Sequence, residues 1–175
     1  ISKMLDRLNE YSSVCHSGNH ILDVIVDRYA AECALCDIEF CFDIKENNLR
    51  NLDYFDIVTV LNNLLDNAVE ASKKASSRHV SIATSYRNNF SIIVITNSCA
   101  APPEFSSSGE LKTTKENSKL HGFGLKSVKN ALKKYDGDIS LEYSQEKGEF
   151  IATVMLDSRI TPESPSGSQP APEKR

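Results

Sequence analysis

The stretch that most constrains the fold is VTVLNNLLDNAVEA, Val58 to Ala71, in which an apolar helical pattern is crossed by Asn63, Asn67 and Glu70. Their i, i+4, i+7 spacing puts all three on one side of a helix. Amides and a carboxylate left unpaired in a buried helix cost roughly 1–3 kcal/mol each. The sequence therefore predicts a partner that the fold itself does not supply. A second stretch narrows its nature: His121-Gly122-Phe123-Gly124-Leu125-Lys126 sets two glycines where a loop is expected to turn into a helix near Gly124. Glycines allow close backbone approach, and a helix start favours an anion such as a triphosphate.

With 175 residues, 40% of them hydrophobic, the chain can bury one good core, so a single domain with short attachments is expected. No run approaches the ~18 apolar residues of a membrane-spanning helix, and no signal-peptide pattern opens the chain, so a soluble domain is expected. Because residue 1 is Ile1, the chain reads as a piece of a longer protein whose membrane segment would lie upstream. A net charge of −4 speaks against a nucleic-acid partner.

The five cysteines, Cys15, Cys33, Cys36, Cys41 and Cys99, have no framework spacing and suit a reducing compartment. Cys33 and Cys36 form a CxxC, but a zinc site needs two further ligands and only Cys41 is near. Small buried hydrophobes are the favoured reading.

Along the chain, Ile1, Met4, Leu5, Leu8 and Tyr11 recur at helical spacing and read as the end of an amphipathic helix. Asn19 is placed to cap a second helix reaching about Cys33, and Asp53 to cap the long helix that carries the asparagines. Asp37 to Ile44 alternates as a strand. Val80 to Tyr86 and Ser91 to Thr96 read as a hairpin around Arg87-Asn88-Asn89. Residues 100–121 hold Pro102, Pro103, three serines and several lysines with almost no apolar periodicity. A loop that long in a compact domain is usually a lid or binding segment. A helix over Gly124 to Tyr135, ended by Asp136-Gly137, and two closing strands, Asp138 to Ser144 and Glu149 to Asp157, complete the pattern. Pro, Ser and Lys predict a disordered tail over 159–175. The fold class expected is α+β, a layer of helices on a mixed, mostly antiparallel sheet with a lid.

Asn63 and Asn67 offer neutral oxygens one turn apart, and Mg²⁺ prefers oxygen ligands shared with substrate phosphates. An asparagine that satisfies a neighbouring strand would look the same in isolation. Lys112, Thr113, Thr114, Lys115 and Lys119 give the long loop donors able to close over phosphates, although a solvated charged loop has the same composition.

In order, Asn63-Leu64-Leu65-Asp66-Asn67-Ala68-Val69-Glu70-Ala71, Ile95-Thr96-Asn97-Ser98, Thr113-Thr114-Lys115 and His121-Gly122-Phe123-Gly124-Leu125 resemble the ATP-binding domain of sensor histidine kinases. These belong to the superfamily that joins gyrase, heat-shock chaperone ATPases, histidine kinases and mismatch-repair proteins; the chain is most similar to its AgrC-like, quorum-sensing branch. The resemblance covers about residues 17–157 and implies the two-layer ATP-binding sandwich of that superfamily. It implies ATP and Mg²⁺ as ligands, with Asn67 as the metal ligand and Asn63 its partner. It also implies that Asn97 reads adenine, that Gly122 and Gly124 cradle phosphate, and that Thr114, Lys115, His121, Phe123 and Leu125 line the nucleotide site. Asn63, Glu70 and Lys115 are the candidates for the chemistry.

Two departures from the family pattern stand out. ATP-hydrolysing members carry glutamate where Asn63 stands, and an amide takes no proton; this suits a kinase, whose imidazole acceptor needs alignment more than a base. Glu70 remains open between a base and a support for lid or partner. Asn97 replaces the usual adenine-reading aspartate, and an amide able to flip would accept guanine as well.

None of the four histidines sits in an acceptor pattern, so the resemblance places the phosphorylated histidine on an upstream dimerisation helix ending within residues 1–15. The domain proper then spans residues 16–158. The implied partners are a response regulator and a second copy of the chain, and the implied parent is a bacterial membrane protein, held there through its N-terminal sensor region. An anti-sigma-type serine kinase and a degenerate nucleotide-binding interaction domain are the alternatives.

Overall fold

The computed structural model describes residues 15–45, 49, 51–104 and 118–161, and for residues 118–123 the backbone alone. The expected end of a dimerisation helix, most of the expected lid and most of the expected tail lie outside these residues.

Helix α1, His20–Leu35, begins where expected: the Asn19 side chain accepts from the N–H groups of Ile21 and Leu22 at 3.1 and 3.2 Å. This satisfies two of the orphan donors of the first turn. Leu22, Ile25, Val26, Tyr29, Ala30 and Cys33 form its buried face. Strand β1, Glu39–Asp43, is shorter than the alternation suggested. Asp37 adopts a left-handed φ of 52° and the Ile38 N–H returns to the Cys33 carbonyl at 2.9 Å, so these two residues serve the helix exit instead of the strand.

Helix α2, Tyr54–Ser72, is capped by Asp53, whose carboxylate accepts from the Phe55 N–H at 2.8 Å. Strands β2, His79–Arg87, and β3, Phe90–Ser98, form the expected hairpin. Asn88 and Asn89 both have positive φ, 50° and 70°, the signature of the primed turn that matches strand twist.

Helix α3, Ser118–Leu132, continues into a 3-10 turn, Lys133–Tyr135, and then β4, Asp138–Ser144, and β5, Glu149–Asp157. The sheet order is β1-β2-β3-β5-β4, with β1 parallel to β2 and every other pairing antiparallel. Val80, Ile82, Ile93, Ile95, Ala152, Val154 and Leu156 line the face the helices cover. The result is the two-layer α/β architecture read from the sequence.

Directional bonds fix how the helices lie. Tyr29 Oη donates to Asp66 Oδ1 at 2.6 Å, and Lys73 meets Glu32 at 3.2 Å, so α1 and α2 run the same way along the layer. Burial first, and the Asp66 carboxylate second, push the Tyr29 hydroxyl well above the ordinary tyrosine range.

Cys33 is fully buried and Cys36 packs against the same core. Among the described residues no group of three or more His, Cys, Asp or Glu is placed to hold a metal ion. No described helix is long and apolar enough to cross a membrane.

Candidate functional site

Helix α2 buries Ile57, Val60, Leu61, Leu64, Leu65, Ala68 and Val69, and its remaining flank carries the polar trio. Asn67 is exposed, while Asn63 and Glu70 are half-buried. This corrects the expectation of polar groups sealed inside a buried helix: the trio lies beside the apolar stripe, where water reaches it. Asn63 Nδ2 donates to the Thr59 carbonyl at 2.7 Å, and Glu70 lies 3.6 Å from Lys74 one turn on. What survives is their alignment along one open side.

Opposite that side runs α3. Its start at Ser118 overturns the expectation of a glycine loop leading into a helix near Gly124, because Gly122 and Gly124 lie within the helix. The physical reason is closeness. A Cβ on Gly124 would stand 2.7 Å from Asn63 Oδ1, so glycine is what lets the two helices meet without displacing that amide. With Gly124 level with Asn63 and the helices antiparallel, the rise of ~1.5 Å per residue puts the first turn of α3 level with Asn67 and Glu70. In a helix bounded at Ser118 the N–H groups without an intrahelical carbonyl among the described residues are those of residues 118–121, and the positive end of the helix lies there.

The far end of α3 is fastened to the start of α2. Tyr135 Oη donates to Asp56 Oδ2 at 2.8 Å and accepts from the Asp53 N–H at 2.8 Å. Lys134 Nζ donates to both Asp56 oxygens at 2.7 and 3.1 Å, so the buried carboxylate is fully partnered.

Asn97 closes β3 on the inner face, where it is 3% exposed. Its Nδ2 donates to the Ser98 carbonyl at 2.9 Å and contacts Cys99 Sγ at 3.4 Å. A carbonyl acceptor requires the NH₂ end, so the amide is held one way round and Oδ1 is left as an acceptor. Among the described residues Oδ1 has no hydrogen bond. Beside it, Ser72 Oγ donates to the His79 carbonyl at 2.7 Å and lies 3.1 Å from Ser98 Oγ, which ties the last residue of α2 to the ends of β2 and β3.

The structure thus brings Asn63 against Gly124, and Ser72, five residues past Asn67, against the strand end that carries Asn97. Leu125 packs on the core. His121, Gly122 and Phe123 are placed by their backbone in α3; Thr114 and Lys115 lie outside the described residues. The sequence reading missed Asp56 and Ser72. A signal for Asp56 existed, since Asp56, Val60 and Leu64 share i, i+4, i+8 spacing and put a carboxylate in the buried stripe.

Residues 52–157 match the GHKL domain, and the chain belongs to that family. Among solved structures, the catalytic domain of histidine kinase ThkA in a nucleotide-free form is 20% identical with a TM-score of 0.65, over 81% of this chain and 95% of that one. The Acinetobacter baumannii histidine kinase AdeS is 15% identical with a TM-score of 0.57, over 90% of this chain and 76% of that one. The mycobacterial sensor histidine kinase MprB is 18% identical with a TM-score of 0.55, over 77% and 93%. These likenesses show a shared fold. No curated protein sequence matches the chain.

Proposed function

We propose that this domain binds Mg-ATP and, within its parent protein, presents the γ-phosphate to a histidine on an upstream dimerisation helix. The observation that carries the reading is the approach of Gly124 to Asn63: a helix start lies beside a row of amide oxygens, in a domain of the GHKL family.

The residues fit the ligands. With no cluster of three acidic or histidine side chains among the described residues, a cation here would rely on one or two neutral oxygens and the substrate's own phosphates, the coordination Mg²⁺ favours. Asn67, with Asn63 one turn back, would hold it, and it would offset charge on the phosphates. The first turn of α3 supplies unpaired N–H groups for the phosphates, and Thr114 and Lys115 of the long loop are the proposed lid donors. His121, Gly122, Phe123 and Leu125 complete the phosphate side.

At the base, Asn97 acts as an acceptor only, as the aspartate of related proteins would. Its two Nδ2 protons are taken by the Ser98 carbonyl and Cys99 Sγ, so Oδ1 suits the amino group of adenine and disfavours guanine, which presents a carbonyl there.

The chain's part in the chemistry is alignment. A neutral imidazole nitrogen attacks phosphorus in line, the bond to the β–γ bridging oxygen breaks, and no proton need be removed from the nucleophile. Glu70, paired with Lys74, is assigned to supporting the lid or partner side of the site.

The four motifs in their order are what supports reading the parent as a sensor kinase of the AgrC-like, quorum-sensing branch, a membrane protein dimerising through its upstream helices and passing phosphate to a response regulator. The test is calorimetric titration of this chain with Mg-ATP, paired with autophosphorylation of the parent. Asn67→Ala is expected to abolish both; a variant that autophosphorylates like wild type defeats the proposal.

A further inference from the structure

The two contacts between α2 and α3 differ in kind. Val128, Ala131 and Leu132 hold α3 down by burial, which is non-directional and does not choose how far the helix slides along its neighbour. The Asp56 carboxylate, with Lys134 on both oxygens and Tyr135 on one, is directional and does choose. Seven residues along α2, about 10 Å of helix rise, is Asn63, facing Gly124 of α3. A residue with a Cβ at that place would press on an amide already bonded to the Thr59 carbonyl, and Asn63 would have to give way.

We infer that Asp56, with Tyr135 and Lys134, is a positioning cluster: it sets the axial register of α3 so that Gly124 falls on Asn63 and the first turn of α3 falls beside Asn67. Asp56 touches neither amide and acts through the helix. In its consequence for nucleotide, the inference rests on the Mg-ATP reading above; the register itself does not.

The test uses the whole chain with Tyr135→Phe, which keeps the ring in the core and removes only the hydroxyl, and Asp56→Asn. In wild type a nuclear Overhauser cross-peak is expected between the Asn63 side-chain amide and the Gly124 Hα. Both variants should lose or shift it while helix content by circular dichroism is kept, and Tyr135→Phe should weaken Mg-ATP at least fivefold. If Asp56→Asn fails to fold, Tyr135→Phe decides alone. A cross-peak retained in Tyr135→Phe overturns the inference even if the melting temperature drops, because the cluster would then serve stability only. A wild type that binds no Mg-ATP overturns the functional reading, while the cross-peak still decides the register.

Discussion

Ser72 Oγ and Ser98 Oγ lie 3.1 Å apart, joining the last residue of α2 to the last residue of β3. Ser72 also donates to the His79 carbonyl at 2.7 Å, so one hydroxyl closes the corner beneath Asn97. Ser72→Ala takes away the short bond to the His79 carbonyl and leaves that oxygen the Ser98 hydroxyl at 3.4 Å, a net loss of about 0.5–1.5 kcal/mol. Urea denaturation should show a lower midpoint with an unchanged slope.

The two turn glycines should respond differently to alanine. At Gly137 a Cβ would meet the Met155 carbonyl at 2.7 Å and the Leu132 carbonyl at 3.1 Å, backbone atoms that cannot swing aside. Overpacking of about 1–3 kcal/mol is expected. Gly148 has open space around it but a φ of +65°, so Gly148→Ala should cost only the left-handed penalty, about 1–2 kcal/mol. Thermal melts of the two variants check the order.

Burial pushes the Cys33 thiol up to about 12, with the Glu32 carboxylate adding to it. Burial, followed by Asp23, does the same at Cys15. The native state therefore keeps these protons where an unfolded thiol, near 9.0, has lost them. Stability falls as pH rises from about 9 toward 12, and it does not change on this account below 9. On the acid side Arg159 holds the Asp157 carboxyl down to about 2, so that contribution is present above pH 4 and fades as pH drops toward 2. Equilibrium unfolding across both ranges, with Cys33→Ala and Asp157→Asn as controls that flatten their own limb, tests the signs.

Base selectivity should follow the acceptor at residue 97. Asn97→Asp keeps an acceptor and should leave the preference for ATP over GTP within twofold, while losing the Ser98 tether and about 1–3 kcal/mol of stability. Asn97→Ala should reduce the preference roughly tenfold, equivalent to about 1.4 kcal/mol. Competition binding with the two nucleotides measures both.

Local chemistry was legible in the sequence wherever a side chain serves its own backbone. Asn19 and Asp53 cap the helices they precede, and Asn88-Asn89 makes the turn their type favours. Period and alternation gave the layers for the same reason. The start of α3 was not legible: Gly122 and Gly124 read as breakers, and the proximity of Asn63 to Gly124 is a tertiary contact that no local pattern carries. The Asp56 cluster joins residues 78 and 79 positions apart, a separation at which no local pattern speaks. Asn67 and Asn63 were found by spacing, but their exposure was misjudged, because a flank and a buried stripe one residue apart share the same apolar neighbours in sequence.

Strands β3 and β5 are neighbours in the sheet, although the chain between them makes a helix and another strand on the way. The two ends of that excursion are stitched together where the Cys99 N–H meets the Gly148 carbonyl at 2.9 Å. An appendix sewn shut at its neck adds only about 0.6 kcal/mol of closure entropy for each doubling of its length. An insertion within that excursion therefore costs the sheet little, because the neck and the β3–β5 ladder are closed by residues outside it.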